Sequence, residues 1–210
     1  MPLIDIRPVK AALREKYRDI RSSMTEDEKA SCDLTIAHQI RRLWQYEKND
    51  TLLVYVSTPI EVDTRTIIMQ ALEDGKKVAV PRCVEGTRNM EFYYIRSLHD
   101  LEPGAFGVME PIPAITEIMT DFSRGLCIVP AFSYDWSGFR LGYGKGYYDR
   151  FLSRFEGNII GICYSNCVQK SLPHGRYDRP VELLVTEKYL RRTTRPGERG
   201  HDYGKRSSDR

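Results

Sequence analysis

A chain of 210 residues, 41% hydrophobic and 29% charged, can bury a core without disulfide staples and suits one domain with a small appendage. No apolar run reaches the ~20 residues of a membrane span, and the first residues alternate charged with apolar side chains, unlike a secretory signal. The net charge of +3 belongs to the end of the chain: residues 191–210 hold seven Lys and Arg against three Asp and Glu, so the rest carries one net negative charge and lacks the basic face of a nucleic-acid-binding domain.

From the N-terminus, Ile6, Val9, Leu13, Tyr17, Ile20 and Met24 recur at spacings of three and four, one face of an amphipathic helix. Lys10, Arg14, Arg18 and Arg21 fall on another face. The run Thr25–Glu28, "TEDE", reads as a capping box opening a second helix with a buried stripe of Ala30, Leu34, Ala37, Ile40 and Trp44. "TLLVYVS" (51–57) is a buried strand, and "DTRTIIMQALEDG" a helix with Asp63 as N-cap and Gly75 as C-cap. "KVAVPR" is a strand ended by Pro81, and "MEFYYI" a third strand nearer an edge. Residues 98–113, rich in Gly and Pro, read as an ordered loop. "GLCIVPAF" is a strand ending at Pro130, "SYDWSG" a turn, "YYDRFLSRF" a helix, and "NIIGICY" and "VELLVTE" the last strands.

Strands that alternate with helices and are apolar on both faces describe an α/β sandwich with a largely parallel sheet. Residues 1–190 form that domain, and the basic tail 191–210, without apolar periodicity, is expected to be disordered. The five cysteines are odd in number and contain no C-x-x-C pair, so they read as reduced, mostly buried thiols of a cytoplasmic protein.

One stretch carries chemistry. "FRLGYGKGYYDRF" (139–151) follows a strand and opens a helix. Its glycines Gly142, Gly144 and Gly146 free backbone N–H groups to face phosphate oxygens, and Arg140 and Lys145 add positive charge. It is neither a P-loop, which would need Gly at 139 and Ser or Thr at 146, nor a G-x-G-x-x-G fingerprint, because the third glycine comes one residue early. A flexible turn before an ordinary helix would explain the glycines alone, but not the cations, paired tyrosines and Asp149 attached to them.

The stretch resembles the signature of the 5-formyltetrahydrofolate cyclo-ligase family. "VKAALR", "STPIEVDT", "EPIP" and "DRPVELLVTE" fall in the family's order, so the resemblance covers about residues 5 to 190. It implies a three-layer α/β/α sandwich with a mostly parallel sheet, of the kind found in sugar-phosphate isomerase and CoA-transferase-like domains. It also implies an enzyme that uses ATP and Mg to close 5-formyltetrahydrofolate into 5,10-methenyltetrahydrofolate, releasing ADP and phosphate. In that reaction ATP phosphorylates the formyl oxygen, N10 attacks the activated carbon, and phosphate departs.

By resemblance, Lys10 and Arg14 contact ATP, their i, i+4 spacing letting both converge from one helix face. Arg18 and Arg21 are left as surface charges. Arg140, Gly142, Tyr143, Gly144, Lys145, Gly146, Tyr147 and Tyr148 carry over as the nucleotide loop, with Lys145, Arg140 and Tyr147 as the catalytic candidates. Tyr143 to Tyr147 are also pterin-proximal. Val56 and Glu61 match folate contacts, apolar surface and an acceptor for pterin N–H groups, and the "EPIP" loop lines the folate side. Asp149 is the first metal ligand, and Glu182 stands where the family's second metal-linked carboxylate is usually Asp.

By the same resemblance Ala131 replaces a usual Gly and Cys167 a usual Gln, whose contact is either lost or supplied by the nearby Gln169. A reactive role for Cys167 is disfavoured because no cation or His is evident beside it. His174 reads as structural or substrate-tail, and Arg176 and Arg179 as partners for the glutamate tail of folate. The expected partners are a reduced folate and ATP, with no nucleic acid and no membrane, and the chain is expected to be a monomer. Three other readings stand beside the ligase: another enzyme on the same fold, a paralogue that binds folate or nucleotide without turnover, and nucleic-acid binding through the basic tail.

Overall fold

The computed structural model describes residues 5–175 and 177–193. Helix α1 (Arg7–Ser22) has Pro8 in its first turn, where a missing N–H costs nothing. Helix α2 (Glu26–Arg41) opens on the expected capping box: Glu28 N–H donates to Thr25 Oγ1 at 3.2 Å, and Thr25 N–H to Glu28 Oε2 at 3.0 Å. Its inward face differs from the apolar stripe expected. Asp33, Ile36, Ala37 and Ile40 are buried, whereas Ala30 is exposed and Leu34 and Trp44 are 59% and 52% exposed. The cause is Asp33, a carboxylate at a core position that breaks the apolar period. Lys29 compensates it at 2.6 Å and the Tyr164 hydroxyl at 2.8 Å. A short helix α3 (Trp44–Lys48) follows.

The remaining elements, in chain order, are β1 (Thr51–Val54), α4 (Arg65–Glu73), β2 (Lys77–Cys83), β3 (Met90–Ile95), β4 (Leu101–Pro103), β5 (Met109–Pro111), β6 (Glu117–Ile118), β7 (Leu126–Val129), β8 (Ser133–Asp135), β9 (Arg140–Leu141), α5 (Tyr147–Leu152), β10 (Asn158–Ile162), β11 (Val168–Gln169), β12 (Leu183–Val185) and β13 (Leu190–Arg192). The main sheet runs β13-β12-β10-β7-β1-β2-β3-β6. Its five central strands, β12 to β2, are parallel, and β13, β3 and β6 are antiparallel additions at the edges. Because successive side chains point to opposite faces, burial of all four residues of β7 means that both faces are covered. Helices α2 and α4 pack together, over β12 and β2.

Several boundaries moved. Strand β1 stops at Val54, and β2 continues through Pro81 to Cys83. Pro81 is tolerated because β1 pairs with β2 only as far as Ala79, so the missing N–H interrupts no ladder to β1. The α4 N-cap is Thr64 rather than Asp63, although the Asp63 carboxylate still accepts from Arg65 N–H at 2.9 Å. The loop at 98–113 contains the β4–β5 hairpin. The Trp136–Gly138 turn is the tip of the β8–β9 hairpin, which β11 extends to a small three-stranded sheet. Gly138 has φ +85°, and a Cβ there would lie 2.4 Å from the Val181 carbonyl. Residues 191 and 192, read as the start of the tail, belong to β13; residues 194–210 lie outside the described residues.

Beyond the carboxyl ends of β1, β7 and β10 the chain stays buried at Tyr55–Val56, Ala131–Phe132 and Cys163–Tyr164. Parallel sheets place their binding crevices at this edge. Arg21 of α1 donates to the Ala131 and Phe132 carbonyls, and Lys10 and Arg14 reach the loop ahead of α5 and its neighbours.

Candidate active site

The glycine-rich loop is shaped by contact with α1. Arg14 Nε donates to the Gly142 carbonyl at 2.8 Å. Gly144 has φ +90°, and a Cβ there would stand 3.0 Å from the Arg14 guanidinium. Gly146, at φ +74°, forms the turn into α5. Gly144, Lys145, Gly146 and Asp149 line one side of a cleft of about 640 Å³, and Arg88, Arg150, Asp178 and Arg179 line much of the rest. A second contact brings α1 to this cleft: Lys10 Nζ lies 2.5 Å from Asp178 Oδ2. The i, i+4 pair Lys10/Arg14 thus reaches two separate segments of the same site.

Arg140 is placed differently from the expectation. It is buried, does not line the cleft, and pairs with Asp149 while donating to the Arg179 carbonyl at 2.6 Å. The Asp149 carboxylate also accepts from Arg179 N–H at 3.3 Å. Arg140 therefore holds Asp149 and the Arg179 segment in place, and Lys145 is the loop cation that meets the cleft.

Glu182 is exposed and outside the cleft. Glu182 stands just ahead of β12, between the buried Val181, whose N–H donates to the Gly138 carbonyl, and the buried Leu183. Asp178, four residues earlier, is the carboxylate that shares the cleft with Asp149. Burial tends to raise its pKa, but hydrogen bonds from Lys10 and Gly175 N–H and the charges of Lys10 and Arg140 outweigh that and hold it below the usual carboxylate value. Among the described residues no three His, Cys, Asp or Glu side chains form a cage. Two carboxylates in a cation-lined cleft still fit a hard divalent cation that takes its other ligands from phosphate oxygens and water.

A second arrangement adjoins the first. Glu61 is 4% exposed and uses both oxygens: the Tyr143 hydroxyl donates to Oε1 at 2.6 Å, and Thr58 N–H and Oγ1 donate to Oε2 at 2.8 and 2.9 Å. Burial, and then the Glu61 charge and hydrogen bond, push the Tyr143 phenol far above its ordinary pKa, so it stays a donor. The Tyr143 ring packs against Phe132 at 4.5 Å between centroids, and Val56 is buried just before the Glu61 loop. Tyr147 reaches away from Glu61 and donates to the Thr87 carbonyl at 3.3 Å. The Tyr148 hydroxyl is buried with no hydrogen-bond partner among the described residues. In the "EPIP" segment, Glu110 is turned into the protein, accepting from Cys83 N–H at 3.1 Å.

The unusual positions are engaged internally. The Ala131 carbonyl accepts from Arg21. Cys167 is buried, and burial raises its thiol pKa despite Arg21, a cation beside it that the sequence did not reveal. Gln169 accepts from the Tyr17 hydroxyl at 2.7 Å and donates to the Ser171 carbonyl at 2.7 Å, so its amide serves the fold. His174 lies flat on Phe139, ring centroids 3.6 Å apart. Arg179 lines the cleft, and Arg176 lies outside the described residues. Sequence reasoning missed Arg88, Arg150 and Asp178 as cleft residues. Nothing in "GRYDRPVE" favours the first acid over the second until the walls of the cleft are known.

A mostly parallel α/β sheet bearing a glycine-rich, cation-lined cleft with two carboxylates has the form of an enzyme site with room and charge for phosphate groups. The family is specific. The model of the 5-formyltetrahydrofolate cyclo-ligase family matches residues 6–187, and the chain belongs to that family. It is 31% identical over 178 residues to the probable 5-formyltetrahydrofolate cyclo-ligase of Schizosaccharomyces pombe, covering 77% of this chain and 87% of that one. It is 27% identical over 201 residues to the 5-formyltetrahydrofolate cyclo-ligase of Saccharomyces cerevisiae, covering 84% and 94%. The solved structure of Aquifex aeolicus 5,10-methenyltetrahydrofolate synthetase superposes with a TM-score of 0.77 at 32% identity, covering 93% of this chain and 98% of that one.

Proposed function

We propose that the protein catalyses the reaction of its family: 5-formyltetrahydrofolate and ATP yield 5,10-methenyltetrahydrofolate, ADP and phosphate. The observation that carries the reading is that one loop serves both halves of the site. Lys145 meets the cleft, while Tyr143, two residues away, reaches the buried Glu61.

In this reading Glu61 accepts hydrogen bonds from the pterin N–H groups, and Val56 and the Tyr143 ring give the flat pterin apolar surface. The Gly144 and Gly146 backbone lets phosphates approach closely. Lys10 and Arg14 hold the nucleotide phosphates from α1, and Lys145 neutralises charge on the phosphoryl group as it passes to the formyl oxygen. The new P–O bond turns that oxygen into a leaving group. N10 then forms its bond to the formyl carbon, and the carbon–oxygen bond breaks with departure of phosphate. Asp149 and Asp178 would hold Mg²⁺, which supplies charge neutralisation on the phosphate oxygens. Arg140 keeps Asp149 in register.

One chain carries every group named, so the reading is of a monomer acting on two small molecules. Its five cysteines are free thiols, in keeping with the cytoplasm, and no helix among the described residues is long and apolar enough to cross a membrane.

The test is turnover of 5-formyltetrahydrofolate with MgATP, followed by the near-ultraviolet absorbance of the methenyl product. ATP-dependent growth of that band is expected, with kcat lowered about 100-fold or more in Lys145→Ala. A flat trace from wild-type protein that still binds folate would replace this reading with a non-catalytic paralogue.

A further inference from the structure

Arg21 has no place in the reading above. It stands in the last turn of α1, yet it is 4% exposed. No carboxylate pairs with it among the described residues. Instead its guanidinium is held by carbonyls: one terminal nitrogen donates to Ala131 and to Phe132, the latter at 2.9 Å, and the other to Ile60 at 3.4 Å. It lies near the faces of Phe132 and Tyr164, 5.6 and 5.8 Å from their ring centroids. Its Nε–H is buried without a hydrogen-bond partner among the described residues, and the Cys167 thiol lies beside the group.

Burying a charge with no counter-ion is costly, and carbonyl dipoles and aromatic faces compensate it only partly. These acceptors are not scattered. Ala131 and Phe132 follow β7, and Ile60 belongs to the loop after β1, one residue before Glu61. Glu61 is fixed in turn by Tyr143, whose ring rests on Phe132. Tyr164 ties the same loop down from the β10 side, within 3.2 Å of the Glu61 carbonyl. Arg21 is thus the common anchor of the segments that surround the Glu61 carboxylate.

The same helix holds the other half of the site. Arg14, seven residues earlier and about 10 Å along the axis, bonds to Gly142. Lys10, a further turn back, pairs with Asp178. Helix α1 spans the site with one end on the cleft and the other on the Glu61 loop.

We propose that Arg21 is the positioning residue of the folate side. Its planar fork fixes the Ile60–Glu61 and Ala131–Phe132 segments to α1, and so sets where Glu61 stands relative to the Lys145 loop. This rests on the cyclo-ligase reading. Arg21 itself contacts neither substrate. Lysine would keep the charge but cannot span three carbonyls on two loops.

The test compares wild type, Arg21→Gln and Arg21→Lys by steady-state kinetics with each substrate varied in turn, and by calorimetric titration of 5-formyltetrahydrofolate and of MgATP separately. Both variants are expected to raise the KM and Kd for the folate about tenfold or more, with those for ATP within about twofold of wild type. If Arg21→Gln does not fold, Arg21→Lys carries the test, because it keeps a charged stem in the same slot. Folded variants with wild-type folate affinity would overturn the proposal, as would equal losses for both ligands, the mark of a merely structural role. Failure of the wild-type protein to bind folate would remove the functional reading itself. Wild-type turnover with unaltered folate binding in the variants would remove only the inference about Arg21.

Discussion

The hydroxyl of Tyr143 donates to the carboxylate of Glu61 at 2.6 Å, joining positions 82 residues apart in the chain. The two loops it connects follow strands of different sheets, β1 of the main sheet and β9 of the small one, and the contact holds them together. Glu61 is almost fully buried, so its acceptor capacity is used either by the protein or by a ligand. Glu61→Gln removes the charge while nearly keeping the shape. Folate affinity is expected to fall by the ~1.5–3 kcal/mol of a hydrogen bond to a charged group, with ATP affinity unchanged, as calorimetry with each ligand would show.

Gly144 adopts a left-handed conformation with the Arg14 guanidinium against it. Gly144→Ala is expected to lower stability by about 1–2 kcal/mol, the cost of a side chain in that conformation, in urea titration. It also pushes Arg14 off the loop. KM for ATP should rise about five- to tenfold while KM for folate stays level. Equal affinity for ATP in the variant would show that Arg14 does not act on the nucleotide.

Two carboxylates near the end of the chain separate by position. Asp178 lines the cleft and Glu182 does not. Asp178→Asn is expected to raise the Mg²⁺ concentration needed for half-maximal rate about tenfold or more, and Glu182→Gln to leave it unchanged. Magnesium titrations at saturating ATP and folate compare the two.

Far from the site, Asp74 accepts from Arg41 Nε at 3.0 Å and from the Tyr46 hydroxyl at 2.8 Å. These hydrogen bonds, Arg41 first, hold its pKa below 3.8. A depressed folded value contributes stability above the unfolded pKa, and that contribution is lost as pH falls through the folded value. The partners are partly exposed, so the contribution is on the order of 0.5–1 kcal/mol. Asp74→Asn is expected to be less stable than wild type at pH 7, with the gap closing below pH 3.8 in denaturant titrations across the acid range.

Much of the molecule is legible in the amino-acid order because its cause is local. The capping box at Thr25, the buried strands, the alternation that makes a parallel sheet and the glycine-cation loop all follow from side-chain period, capping chemistry and backbone freedom within a few residues. The family resemblance rests on the same local runs.

Other features depend on partners distant in the chain. Asp33 enters the core because Lys29 and Tyr164 meet it there, which a period of apolar residues cannot reveal. Arg21 looks like one more surface cation of a basic helix until the carbonyls after β1 and β7 surround it. Asp178 lines the cleft and Glu182 does not, a difference that the charge and spacing of the two acids do not reveal. Composition and local pattern alone determined the fold class and singled out the glycine-cation loop. Tertiary structure decided which charges are buried and which carboxylates share the cleft, because burial and hydrogen bonding across the sheet are properties of the packed chain.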